Sequence, residues 1–173
     1  MVVQTTLLSA RACPVSKVMP RWMPAKSGWT KLNTDGSFIA STCAARGGMI
    51  LRDDRGLIIY IAYWELRSCD SVLEAELEAC REGLDLALHR TSLSIMVEMD
   101  SVETVSMLNA HWTDKSQHHI LIEEILRLAD LDAREICFTN FCRSYNNASH
   151  ELTAYGRRTP RTAVRLLPGW NLF

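Results

Sequence analysis

Acidic residues are missing from the start of this chain: of its 20 Asp and Glu, none precedes Asp35. The same stretch carries Pro14, Pro20 and Pro24, scattered Ser, and the cations Arg11, Lys17, Arg21 and Lys26. An acid-poor, basic, Ser-bearing segment fits an organelle transit peptide. It fits equally a linker left from a longer polyprotein, and the prolines, which break a long amphipathic helix, favour the linker. Residues 1–28 are therefore expected to be a flexible tail, with order beginning at Trp29.

Other absences narrow the function. There is no cationic excess: 19 Lys and Arg against 20 Asp and Glu leave a net charge of −1. This excludes a polybasic nucleic-acid coat, so any nucleic-acid site must be local. There is no CxxC among Cys13, Cys43, Cys69, Cys80, Cys137 and Cys142, and no Cys pair to partner His118 and His119, which argues against zinc. Cys80 and Cys137 lie in apolar patterns and read as buried thiols. The even cysteine count admits disulfides, but no secretory leader is visible, which favours a reducing, intracellular compartment: nucleus, cytoplasm, or an organelle after import. No apolar run is long enough to span a membrane. No internal repeat is seen. With 173 residues, 47% hydrophobic, the chain suits one globular domain that needs neither disulfides nor a structural metal, and a monomer is expected.

What is present reads as an α/β pattern. Residues 29–35 (WTKLNTD) predict a strand ending at Asp35-Gly36-Ser37. Residues 45–52 and 57–64 are apolar runs joined by Asp53-Asp54-Arg55-Gly56, the chemistry of a hairpin turn. Over 70–90, Leu73, Leu77, Cys80, Leu84 and Leu88 recur at helical spacing, with Asp70 or Ser71 as N-cap and Glu74 in the first turn. Residues 94–100 (SIMVEMD) suit a central strand. Short helices follow, with Val102, Val105 and Leu108 on one face, then Ile120, Leu121, Ile125 and Leu128. Residues 135–141 predict a last strand and 146–158 a last helix, and 159–173 a loose C-terminal tail. Three consecutive strands form an antiparallel meander, and later strands arrive through helical crossovers and pair in parallel. The fold class is α/β, a five-stranded mixed sheet flanked by helices.

Three carboxylates stand out. Asp35 belongs to an Asp-Gly pair, which alone suggests a turn. Glu76 sits at the edge of the apolar stripe, whereas Glu74, Glu78 and Glu82 point away from it; a carboxylate there needs a partner or a cation. Asp100 follows a central strand, on the same face as Glu98, and its bland alternative is an N-cap for the next helix. If the first strand and the 94–100 strand are parallel neighbours, Asp35 and Asp100 lie side by side and Glu76 reaches the same point. Three converging carboxylates require a counter-charge. Mg²⁺ or Mn²⁺ supplies it through oxygen ligands, and two such ions suit phosphodiester cleavage.

The ordered set KLNTDGSF, GGMILRDDRG, EAELEACREGLDLAL, VEMDS and RSYNNASHELTAYGRR resembles the type 1 RNase H family, in particular its plant retroelement-derived, reverse transcriptase-like branch. The resemblance covers 29–158. It implies an RNase H-like fold, two divalent ions, an RNA–DNA hybrid as partner, and endonucleolytic cleavage of the RNA strand. It implies four acids; Asp35, Glu76 and Asp100 match the first three. In the last motif Arg143, Asn146, Ser149 and Leu152 hold the register and place His150 where the fourth Asp belongs. A His before Arg143, frequent in this branch, is Asn140 here. The resemblance further implies hybrid recognition by shape and 2′-hydroxyls, with Gly36 and Ser37 bringing backbone near the RNA, and Ser71 and Ser101 contributing hydroxyls. No Lys/Arg cluster marks a separate hybrid-gripping loop, so binding is expected to be weak and salt-sensitive. Trp64, Trp112 and Trp170 read as packing residues. Three readings follow: a metal-dependent hybrid ribonuclease, a domesticated fold that only binds nucleic acid or protein, and a retroelement fragment without selected function.

Overall fold

The computed structural model describes residues 22–67, 69–110, 117–131, 133–141, 151, 153, 154 and 163–166. Strands β1 (Trp29–Ile39), β2 (Ala44–Arg52) and β3 (Ile58–Leu66) form an antiparallel meander. Helix α1 (Val72–Leu88) then crosses back, so that β4 (Ser94–Met99) lies parallel to β1. Helices α2 (Val102–Asn109) and α3 (His119–Asp130) lead to β5 (Ile136–Asn140), parallel to β4. These five strands are the expected ones, in the expected pairing. A sixth, β6 (Ala163–Leu166), extends the sheet by pairing antiparallel with β3, giving the order β5-β4-β1-β2-β3-β6. Sequence placed these four residues in the C-terminal tail; the exposed edge of β3 gives their backbone hydrogen-bonding partners.

The β2–β3 turn forms because Asp53 Oδ1 accepts N–H bonds from Arg55 (3.0 Å) and Leu57 (2.7 Å), while Gly56 takes φ +84°. Helix α1 starts at a capping box: Ser71 Oγ accepts the Glu74 N–H at 3.1 Å, and Glu74 Oε2 accepts the Asp70 N–H at 2.7 Å. Leu77, Cys80 and Leu84 bury the α1 stripe against Leu32, Met49 and Leu51 of the sheet. Cys80 is buried as expected, whereas Cys137 is half-buried on β5. On α3 the buried face is Ile122 and Ile125; Ile120, expected in that stripe, is exposed, as is Val102 at the start of α2.

Strand β1 is buried on both faces from Trp29 to Ser37. Thr34 and Gly36 face α1: a Cβ on Gly83 would lie 2.8 Å from Thr34 Cγ2, and one on Gly36 would lie 2.3 Å from the Ala75 carbonyl oxygen. By strand alternation Lys31, Asn33, Asp35 and Ser37 share the opposite face. Residues 22–28, placed in the flexible tail by sequence, run as an irregular strap packed on the domain. Gly28 N–H bonds Asp54 Oδ2 (3.0 Å), Met23 O accepts from Lys31 Nζ (2.7 Å), and Ala25 is buried. The remainder of that tail, residues 1–21, lies outside the described residues, as do Cys13, Trp112, Cys142, Arg143, Asn146, Ser149, His150 and Trp170.

Candidate active site

Asp35 does not end its strand. The strand β1 continues four residues further against β2, while its ladder with β4 stops at Asn33↔Glu98. The Asp-Gly pair is therefore not a turn. Gly36 is required because the α1 backbone passes where a side chain would sit, with Ala75 O, Ala75 C and Glu76 N all within 2.5 Å of an ideal Cβ. That close approach delivers Glu76 to the strand. Glu76 Oε2 accepts the Gly36 N–H at 3.1 Å, on the side of β1 that β4 has vacated. Glu76, read from the helical wheel as an edge residue, is only 6% exposed.

Asp100 follows β4 immediately. The cap of α2 is not Asp100 but Ser101, whose Oγ accepts the Thr104 N–H at 3.2 Å. Asp100 is thus released from the capping role, half-buried, and turned to the same point as the other two acids. One carboxylate oxygen each from Asp35, Glu76 and Asp100 lies within 4.8 Å of the others. Two of the three acids are buried, and such proximity of like charges is tolerated only with compensation. The N-termini of α1 and α2 both open on this place: a depression of about 320 Å³ is lined by Val72, Leu73, Glu76, Asp100, Ser101 and Glu103. Hard carboxylate oxygens converging from three elements form a donor set suited to Mg²⁺ or Mn²⁺. Behind Glu76, Cys80 is wholly enclosed, and burial together with the Glu76 charge pushes its thiol far above the ordinary value. It is a packing residue.

The serines take definite local roles. Ser71 and Ser101 are the N-caps of α1 and α2, and Ser101 Oγ also accepts from Thr104 Oγ1 at 2.7 Å. The Gly36 N–H is given to Glu76. Ser37 is buried, and among the described residues its Oγ has no hydrogen-bond partner. The last helix enters through Thr153, fully buried, whose Oγ1 donates to the Asp35 carbonyl at 3.5 Å. Sequence reading missed the polar cluster beneath the acids. Glu98 binds Lys31 Nζ at 2.5 Å through Oε1 and Asn33 Nδ2 at 2.8 Å through Oε2, and Arg52 Nη1 donates to Asn33 Oδ1 at 3.0 Å. Its signal was a polar residue at each odd position from Lys31 to Ser37, in a strand otherwise destined for the core.

A mixed sheet with a parallel β4-β1 pair, a crossover helix on one face, and three acids at the fork where those strands part define an RNase H-like domain. The reverse transcriptase-like family matches residues 33–156, and this chain belongs to it. Among solved structures, RNase H1 from the halophilic archaeon Halobacterium salinarum is similar at a TM-score of 0.69 and 17% identity, over 76% of this chain and 98% of that one. The N-terminal RNase H domain of a Mycobacterium tuberculosis protein is similar at 0.67 and 19%, over 76% and 95%. An RNase H1 from compost, solved in complex with an RNA/DNA hybrid, is similar at 0.65 and 19%, over 73% and 94%. At these identities the likeness is one of fold. No curated protein matches the chain. Among the described residues no helix is long and apolar enough to cross a membrane.

Proposed function

We propose that this domain binds RNA–DNA hybrids as a monomer and cleaves their RNA strand by divalent-metal-dependent endonucleolytic hydrolysis. The observation that carries this reading is the convergence of Asp35, Glu76 and Asp100 within 4.8 Å on a family-matched fold. Mg²⁺ or Mn²⁺ held by these oxygens would supply the charge that stabilises the attacking and leaving oxygens of a phosphodiester. The protein's own share is placement. Asp35 is fixed by a strand buried on both faces, Glu76 is aimed by the Gly36 N–H, and half-buried Asp100 is the carboxylate nearest solvent. Ser101, its oxygen already accepting two bonds, keeps a hydroxyl proton to donate to a phosphate or 2′-oxygen, and Ser71 does likewise at the other helix start. Gly36 and Ser37 bring the β1 backbone to the RNA.

A second reading, binding without turnover, is favoured by one feature of the resemblance: it implies His150 in place of the family's fourth acid. Imidazole is a poor Mg²⁺ ligand and a better one for softer ions. Cleavage of a labelled hybrid is therefore expected to be slow in Mg²⁺ and faster in Mn²⁺. Asp35→Asn should abolish it in both, and His150→Asp should raise the Mg²⁺ rate. Activity that survives Asp35→Asn would sink the mechanism. Hybrid binding with no cleavage in either metal would establish the binding-only reading.

A further inference from the structure

Lys31 and Glu98 form an ion pair whose side chains are 5% and 3% exposed, and Asn33 beside them is 2% exposed. Burying such a pair costs several kcal/mol of desolvation per ion, and an apolar pair of similar volume is often as stable or more so. Net stability is thus a poor reason for its presence. The best-attested use of a buried polar cluster is to fix register, and its position here fits that use. Asn33↔Glu98 is the last pair of the parallel β1–β4 ladder, and it is also joined through side chains. Past it, β4 stays with β5 through Met99↔Asn140 while β1 stays with β2 through Asp35↔Gly48. Glu76 enters at this fork through its bond to the Gly36 N–H. Asp35 stands two residues beyond the joined pair on β1, and Asp100 two residues beyond it, just past the end of β4.

We infer that Asn33 and Glu98 are positioning residues whose hydrogen bond sets the separation of Asp35 and Asp100, and so the divalent-metal affinity of the carboxylate site. This rests on the reading of that site as a metal site. Lys31 and Arg52 hold the two residues from either side, and they are themselves held by the strap. Met23 O accepts from Lys31 Nζ at 2.7 Å, and the Trp22 ring centroid lies 4.6 Å from the Arg52 guanidinium and 5.2 Å from Lys31 Nζ. Burial pulls the Arg52 guanidinium below its ordinary value, and the Glu98 charge opposes that. The strap residues 22–23 thereby become part of the support of a site on another stretch of chain.

The test uses Mn²⁺ binding to the full chain, followed by the electron paramagnetic resonance of the free ion, with circular dichroism and Tm recorded for every variant. Two double variants carry it. Lys31→Met/Glu98→Gln keeps an acceptor for the Asn33 amide; Lys31→Met/Glu98→Leu removes it. Each loses one cation and one anion, so the cluster's net charge does not change between them or from the parent. The Gln variant should bind Mn²⁺ within about threefold of the parent. The Leu variant should bind about tenfold more weakly or worse, at the low end of the loss that follows removal of a group orienting a metal ligand. Asn33→Leu, which breaks the same bond from the other strand, should reproduce that loss and serves if the Leu double variant does not fold. Equal affinity in the Gln and Leu variants, whether at the parental value or equally weakened, would overturn the inference and leave the metal site standing. Absence of Mn²⁺ binding by the parent, or binding that survives Asp35→Asn, would overturn the metal site itself and the inference with it.

Discussion

Gly36 shows how one residue can carry a site without offering it a side chain. Its missing Cβ admits the Ala75 carbonyl to a place that a methyl group would share at 2.3 Å, and its N–H orients Glu76. The neighbouring atoms are helix backbone, which cannot turn aside as a side chain can. Gly36→Ala should therefore push the first turns of α1 away from β1, cost about 1–3 kcal/mol in a denaturant titration, and weaken Mn²⁺ binding. The control is Gly28→Ala, which has open space at its Cβ but a left-handed φ of +79°. It should cost stability through the backbone and weaken Mn²⁺ binding less than Gly36→Ala does. If Gly36→Ala kept parental affinity, the close approach would not be what delivers Glu76.

At the scale of elements, the strap is the feature that composition misjudged. Its prolines and lack of periodic apolar residues suggested a tail, yet residues 22–28 are pinned by a few specific contacts. Lys26 O accepts the Trp29 N–H at 3.0 Å, Lys26 Nζ lies 3.8 Å from the Trp29 ring centroid, and Gly28 N–H bonds Asp54. The Lys26–Ser27 bond should therefore resist trypsin under native conditions, and Asp54→Ala should open it. The hydrogen bond from the Gly28 N–H holds the Asp54 carboxyl below its usual 3.8. A depressed folded pKa means that the stabilisation is complete above 3.8 and lost as pH falls through the lower, folded value. The Gly28 amide resonance should accordingly move with a midpoint below 3.8. A midpoint at or above that value would show the contact is not made in solution.

On the scale of the whole molecule, charge is nearly balanced at −1; three acids converge at one sheet fork, and among the described cations Lys31 is buried in an ion pair. Hybrid binding should then rest on few phosphate contacts. With about two, the association constant would fall about tenfold between 50 and 200 mM salt, whereas 6–10 contacts would give roughly 10³–10⁵. A filter-binding series against salt reads this directly, in Asp35→Asn so that the hybrid stays intact. A steep slope would mean that residues outside those described supply a cationic grip. Hydrophobic period and turn chemistry are local, and they were enough to order the first five strands and the helices α1 to α3. The sequence by itself also singled out Asp35, Glu76 and Asp100 as a set on the condition that the first strand and the 94–100 strand pair in parallel, which the structure meets. Sequence reading ended the first strand at Asp35 and placed residues 22–28 and 163–166 in tails; a turn at Asp35-Gly36 and a cap at Asp100 were the bland alternatives to their place among the acids. The cap of α2 went to Ser101, the residue next to Asp100. The strand end and the tails depended on distant partners: the α1 backbone against Gly36, Asp54 and Lys31 for the strap, and the β3 edge for the last strand. The Lys31–Asn33–Glu98 cluster was hidden for the same reason. Alternation shows which face a polar residue takes, but only the parallel docking of β4 on β1 decides what it meets there.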